Sequence, residues 1–496
     1  MTDGGPQPIT RPEAIGMAGV LMLALVLRII HLNADLWYDE ILTLLNYVRL
    51  PWGELVQTYG SLNNHVLYSW MAKISVGIFG ESAWAMRLPA VLFGLGSIVA
   101  VWLFMRRVTS LPVAMLTALV LAISYHHVWF SQNARGYTGL LFFISLSSLF
   151  ILRAQRGEKP WQSWMLWAAC VVGAMAIHLT AAFFFAAQAA VLLIDGARKA
   201  FIEREQTVWQ WLRMPLAASL VVIVALLLFY SPIMADIAST MGEMSAPSDA
   251  DAAGSEAMKE WENPLRTAIE LMASFGALGA VLPIALGFAA IGGWQMTRRA
   301  PVAAGAYPAA IVVTLVILVA LGFRVWPRYF FIEIGFLVAA ALAGAFQVAD
   351  WVERWRVAGW RLPAPLSKTL GTLVILSACV LMLRPNYNDP KMEISDAIAA
   401  AALAEGQGRP VVTVGLAKVP FTDYRKPDWP FIEDAAGMRA LLRDEPEACV
   451  VSAFPTHFRG TYPDIHAILV ARDGKPQRLG GTLPGAEIEL WGCEPS

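Results

Sequence analysis

The stretch "LWYDEIL", residues 36–42, sets two adjacent carboxylates, Asp39 and Glu40, directly behind a strongly apolar segment. A carboxylate held beside an incoming hydroxyl can take its proton as a general base. Other groups with chemical capacity recur at the edges of apolar runs. They are Asn63, Asn64, His65 and Tyr68 of "NNHVLYSW", and His126, His127, Gln132, Asn133, Arg135 and Tyr137 of "YHHVWFSQNARGY". His178 and then Arg324, Arg328 and Tyr329 of "FRVWPRYF" complete the set. Arginine binds a phosphate through two parallel N–H donors, so carboxylates and arginines at the edge of hydrocarbon suit a ligand with a lipid tail and a phosphate head. Each group also has an ordinary reading. Asp39 and Glu40 can be solvated loop carboxylates, the arginines can reach to lipid headgroups, and the tyrosines can belong to an interfacial belt. Histidines without fixed spacing are weak evidence for a metal and can simply pack.

Those residues mean more if they share one side of a membrane, and the composition says that a membrane is there. Hydrophobic residues make up 57% of the chain, charged ones only 15%, and the mean hydropathy is +0.54; soluble domains carry about a quarter charged residues. A net charge of −1 gives no sign of a nucleic-acid partner. Crossing the hydrocarbon takes about 20 apolar residues. Runs near 15–32, 88–105, 111–126, 137–152, 162–178, 181–194, 214–233, 268–291, 302–323, 329–348 and 368–384 predict about eleven spans by that criterion. The first reads as a signal-anchor, since no small-x-small cleavage site follows it.

Basic residues cluster in alternate loops: Arg106/Arg107, Arg153/Arg156/Lys159, Arg198/Lys199/Arg204/Arg213, Arg298/Arg299 and Arg354/Arg356/Arg361/Lys368. The positive-inside rule makes these loops cytoplasmic, the N-terminus inside and the chain after Arg384 outside. The clusters stay on one side only if 161–194 is a hairpin of two helices. All the candidate residues then fall on the outer side, where Arg135, Arg324 and Arg328 run against the usual charge bias. Polar groups gathered at one depth near hydrocarbon are a functional-site hypothesis.

A first outer loop, 33–87, contains the helical patterns "DEILTLLNYVRL" and "VLYSWMAKISVGIF", suited to the interface plane. A second, about 234–264, can be a lid or a solvated linker, and its composition favours the linker. From Pro385 the composition becomes that of a small soluble α/β unit of about 110 residues. Helices are expected in "EISDAIAAALAEG" and "DAAGMRALLRDEP", and strands in "PVVTVGL", "EACVVSAF", "IHAILVAR" and "AEIELWGC". Cys449 and Cys493 of that unit can pair in an oxidising compartment, whereas Cys170 and Cys379 lie in apolar spans. "GLGS" at 94–97 is a packing feature inside a span. The expected fold is therefore a polytopic α-helical membrane unit, 1–384, followed by an outer α/β unit, 385–496.

The order of motifs resembles the polyprenyl-phosphate-sugar-dependent glycosyltransferases of the GT-C superfamily. It is most similar to glycosyltransferase family 39, the protein O-mannosyltransferase and lipid A aminoarabinose transferase group. The resemblance runs over about residues 15–350: "DE" at 39–40, "NNHVLYSW" against the family's His-Pro-Pro-Leu-Tyr, and "GESAWAMRLPAVLFG" with Arg87-Leu88-Pro89. "SQNARGY" then stands against Ser-Gln-Glu-Ala-Arg-x-Tyr, followed by "PRYFF". It implies Asp39 as general base with Glu40 in support, and His65 and Tyr68 beside the phosphate-sugar head. Arg135, Tyr137, Arg328 and Tyr329 would hold the lipid phosphate, and Asn64, His127, Asn133 and His178 would lend support. Asn133 and Asn64 stand where relatives carry acidic residues, so a divalent metal is possible but not favoured.

The implied activity is inverting transfer of a sugar from a polyprenyl-phosphate-sugar to an acceptor hydroxyl on a glycan, lipid or protein, at the outer face of a bacterial-type inner membrane. Alternatives are an oligosaccharide ligase using a lipid diphosphate, and a lipid-sugar flippase with no chemistry. The flippase is disfavoured by the absence of inverted repeats and of broken helices paired between two halves.

Overall fold

A computed structural model describes residues 8–61, 64–204, 207–245, 282–320, 325–354 and 364–494. Asn63, Arg324, most of the second outer loop and the first part of the span expected at 268–291 lie outside the described residues. The helices that matter here are α1 (Arg11–Ile29), α2 (Tyr38–Thr43), α3 (Val66–Phe79), α4 (Ala83–Val108), α5 (Leu111–Ile123), α6 (Tyr125–Ser131), α7 (Tyr137–Gln155), α8 (Pro160–Ile177), α9 (Ala181–Ala197) and α10 (Val208–Tyr230). They are followed by α11 (Met234–Ser245), α12 (Leu282–Arg299), α13 (Pro301–Ala320), α14 (Ile334–Arg354) and α15 (Ala364–Leu383). The 161–194 region is the hairpin of two helices, α8 and α9, joined at His178–Thr180.

Among the described residues eight helices are long and apolar enough to cross a membrane, or nine if α5 and α6 form one bent span. That is fewer than the eleven expected, although helices stand in or overlap every expected position. The first turns of α8 carry Trp161, Gln162 and Ser163, and α12 ends on Arg298 and Arg299, so neither reaches the hydropathy of a span.

The bend between α5 and α6 is 59° and has an identifiable partner. A helix C-terminus leaves carbonyls without intrahelical donors, and Arg28 of α1 supplies them. Its Nη1 donates to Ala122 O at 3.0 Å and its Nη2 to Leu121 O at 3.3 Å. The same guanidinium donates to Ser131 Oγ and contacts His127 Nδ1 at 2.7 Å, while His127 Nε2 meets Ser97 Oγ at 3.0 Å. Gly94 makes room: a Cβ there would stand 2.3 Å from Ser131 Oγ. "GLGS" is thus a packing feature, as expected.

In the first outer loop, α3 buries Tyr68, Ser69, Ala72 and Ser75, a stripe at helical spacing. Tyr68 Oη donates to Met86 O at 2.7 Å and Ser75 Oγ to Ala85 O at 2.7 Å, fixing α3 on the start of α4.

Beyond Pro385 come α16 (Ile394–Gly406), β1 (Val411–Val414), β2 (Phe431–Ile432), α17 (Ala435–Asp444), β3 (Cys449–Ala453), α18 (Pro455–Thr461), α19 (Pro463–Asp473), β4 (Gln477–Leu479) and β5 (Ile488–Trp491). The sheet order is β2-β1-β3-β5-β4, with β1 parallel to β2 and β3, and β5 antiparallel to β3 and β4. Every residue of β1, β3 and β5 is buried, which is why they read as unbroken apolar runs. Val412, Val414 and Val450 pack with Met438, Ile465 and Leu469 on one face; Val411, Val451 and Leu490 share the other core with Ile394 and Ala397.

"IHAILVAR" is not a strand but the body of α19. Pro463 stands in its first turn with Asp464, Arg472 in its last, and Gly474 follows at φ 74°. These are helix punctuation marks, and only Ile465 and Leu469, four apart, are buried. Cys449 and Cys493 form a disulfide with Cα atoms 4.5 Å apart, tying β3 to the end of β5.

Candidate active site

Asp39 and Glu40 are neighbours with opposite surroundings. Glu40 is fully buried. Arg87 Nη2 donates to its Oε2 at 2.6 Å and Arg87 Nε to its Oε1 at 2.8 Å. The Ala134 N–H donates to Oε1 at 2.6 Å, and the Trp37 N–H to Oε2 at 3.2 Å. Arg87 uses its other donors on the carbonyls of Leu32, Ala34 and Asp35. Burial raises the Glu40 carboxyl pKa, but Arg87, Lys391 and the hydrogen bonds outweigh it and hold the group at about 2. Glu40 is therefore a fixed anion that pins the loop after α1 and the turn before α7 together.

Asp39 points away from that knot. Its side chain keeps 13% of its exposure, and Arg328 Nη1 reaches its Oδ2 at 3.4 Å. Arg328 also lies over the Trp326 ring, 4.8 Å from its centroid. One turn along α2, Thr43 Oγ1 donates to Asp39 O at 2.9 Å and receives Arg135 Nη1 at 3.5 Å. The Asp39 segment thus touches two arginines that are far apart in sequence.

Beside them lies an aromatic cluster. The His65 ring is 4.5 Å from that of His178 and 4.9 Å from that of Tyr137. Gly136 permits this approach, because a Cβ there would come within 2.9 Å of His65 Nδ1 and 2.5 Å of Ile177 Cγ2. Thr180 N–H donates to His178 Nδ1 at 3.1 Å. His65 is 2% exposed, and neither of its ring nitrogens has a hydrogen-bond partner among the described residues. Burial, Arg135, His178 and Arg328 hold its pKa well below 6.5, so it is a neutral imidazole. Tyr329 stands half-buried in the turn that carries Arg328.

Four expected contributors are not brought into this cluster. Tyr68 is fully buried with its hydroxyl on Met86 O. Asn64 braces its own loop, Nδ2 donating to Tyr59 O and Oδ1 accepting from Ser69. Asn133 Oδ1 accepts from Trp37 Nε1 at 3.1 Å, and His127 belongs to the Arg28 knot. Three residues escape the sequence reading as site elements. Arg87 had a signal in its "RLP" motif. Asp236 at the start of α11, which accepts the N–H groups of Tyr59 and Gly60 at 2.5 and 2.9 Å, had none. Neither did Lys391.

Among the described residues there is no group of three or more His, Cys, Asp or Glu side chains set to hold a metal.

Residues 64–233 match the family model "Dolichyl-phosphate-mannose-protein mannosyltransferase". ArnT from Cupriavidus metallidurans in the apo state is similar over 96% of this chain and 97% of its own, at 14% identity and a TM-score of 0.51. The same protein bound to undecaprenyl phosphate aligns over the same shares at 12% identity and a TM-score of 0.53. An Archaeoglobus fulgidus oligosaccharyltransferase in complex with Zn and sulfate aligns over 92% of this chain and 69% of its own, at 11% identity and a TM-score of 0.52. No curated protein matches the sequence. Residues 64–233 thus match that family's model, and over nearly its whole length the chain shares its fold with ArnT.

Proposed function

We propose that the chain transfers a sugar, with inversion, from a polyprenyl-phosphate-sugar to an acceptor hydroxyl at the outer face of the cytoplasmic membrane. The observation that carries this reading is the placement of Asp39 against Arg328, beside Arg135 and the unpartnered imidazole of His65. The acceptor oxygen forms its bond to C1 of the sugar as the C1–O bond to phosphate breaks. Asp39 takes the acceptor proton, and the bonding electron pair leaves with the polyprenyl phosphate.

Arg135 and Arg328 meet the phosphate charge, and His65, Tyr137, His178 and Tyr329 shape its surroundings. His65, being neutral, offers one N–H and one acceptor nitrogen. Glu40 is a positioning residue. The leaving group is already a phosphate, so positioning and electrostatics supply most of the rate. The alternate basic loops support an inside N-terminus and an outer-face unit from 385 onward, and the disulfide of that unit suits an oxidising compartment.

Asp39→Asn keeps the side chain's size but cannot take the proton, so turnover should fall about 100- to 10,000-fold. Release of polyprenyl phosphate from a labelled donor measures it. Near-parental release would sink the base assignment, and movement of intact donor without release would favour a flippase.

A further inference from the structure

The residues on either side of Asp39 are both held by the chain beyond Pro385. Tyr38 stacks edge-on against Phe454, with ring centroids 5.1 Å apart. Glu40 faces Lys391, whose Nζ lies 3.8 Å from Oε1. Lys391 also donates to the Gln132 carbonyl and sits 5.0 Å over the Trp129 ring. Phe454 occupies the left-handed region at φ 55°, at the end of β3 where α18 begins. A bulky residue there is a backbone outlier, and such outliers persist where surrounding structure over-determines them.

Further contacts flank this pair. Asp35 accepts from Arg425 Nη1 at 2.7 Å and from the Ser395 hydroxyl. Arg49 lies 5.8 Å over the Tyr424 ring. Tyr387 Oη reaches Leu27 O at 2.6 Å, and Asn386 Nδ2 reaches Gln132 Oε1 at 2.9 Å.

We infer that the C-terminal α/β unit is part of the catalytic apparatus, with Lys391 and Phe454 as positioning residues that clamp Glu40 and Tyr38 and so aim Asp39. This rests on Asp39 being the base. Among the described residues the contacts of Lys391 and Phe454 given above are with Glu40, Gln132, Trp129 and Tyr38 rather than with Arg328 or His65, so their loss should act on turnover more than on donor affinity. It also carries a titration. The groups facing Lys391 are Glu40 on α2 and Arg87 on α4, and around the adjoining cavity of about 150 Å³ stand Asp35, His31 and Asp389. Burial lowers the Lys391 pKa to about 7 against the pull of Glu40. As pH rises through that value the ammonium is lost, and its hold on Glu40 with it.

The test compares Lys391→Met, Lys391→Arg, Phe454→Ala and Asp39→Asn in the full-length protein, each checked for thermal stability. Lys391→Met leaves the Glu40–Arg87 pair intact and neutral, so folding should survive. Misplacing a catalytic group by an ångström costs about 100-fold. Lys391→Met and Phe454→Ala should therefore lose roughly 10- to 100-fold in kcat with donor KM within about two-fold. In the parent, kcat should decline above pH about 7. Lys391→Arg, whose charge persists, should hold activity there, and Lys391→Met should lose that dependence. A merely structural contact would not move the pH profile. If Asp39→Asn collapses turnover while Lys391→Met, Lys391→Arg and Phe454→Ala match the parent in kcat and pH profile, the clamp is refuted and the base stands. If Asp39→Asn turns over normally, the base assignment and the clamp's stated purpose both fall.

Discussion

At the scale of single residues, adjacent carboxylates acquire different jobs from their neighbours alone. Glu40 is engaged by a bidentate arginine and two backbone N–H groups, so replacing it by Gln leaves Arg87 and Lys391 facing a neutral group. Breaking a buried pair from one side costs about 3–5 kcal/mol, and Glu40→Gln should lower thermal stability accordingly. The carboxyl titrates near 2 when folded and near 4.5 when unfolded. Its contribution is complete above pH about 4.5 and is lost as pH falls towards 2. The melting difference between parent and variant should therefore be widest at neutral pH and shrink on acidification; a difference independent of pH would count against a charged Glu40. Arg135→Ala and Arg328→Ala should each weaken donor binding by about 1.5–3 kcal/mol, the worth of a charge-assisted hydrogen bond. Parental affinity in both variants would restore the ordinary reading, in which they reach for headgroups.

At the scale of elements, the site depends on how helix ends meet. The bend between α5 and α6 turns the chain so that 132–137 returns over α1 and α2, and Arg28 occupies the carbonyls which that bend exposes. Arg28→Met should leave Leu121 O and Ala122 O without donors, at about 1–3 kcal/mol for each buried group. The expected result is a large drop in melting temperature in detergent, partly recovered by Arg28→Lys. A parent-like melting curve for Arg28→Met would mean that the bend does not need its cation. Nothing in the sequence around Arg28 marks it out, because no local pattern says that another helix breaks beside it. α19 illustrates the same limit. "IHAILVAR" alternates enough to pass for a strand, while the Pro463 and Gly474 flanking it were the better guide.

For the whole molecule, the side assignments are open to direct measurement. Lys475→Cys, exposed in the C-terminal unit, should react with a membrane-impermeant thiol reagent in intact, outer-membrane-permeabilised cells, whereas Arg298→Cys should not. The reverse pattern would invert the proposed topology. Hydrophobic patterning determined the membrane helices and the composition shift the α/β unit, because both are local, while the hairpin at 161–194 followed from keeping the basic loops on one side. Motif order, through the resemblance it carries, pointed to Asp39, His65, Arg135 and Arg328 together, each at the edge of a span. Only the tertiary structure decided that Glu40 is a buried anchor, that Tyr68, Asn64, Asn133 and His127 are taken by packing partners, and that Lys391 and Phe454 reach across to the Asp39 segment. The physical reason is separation: Lys391 lies more than 300 residues from Glu40, and a contact closed by folding over that distance leaves no local pattern in the sequence.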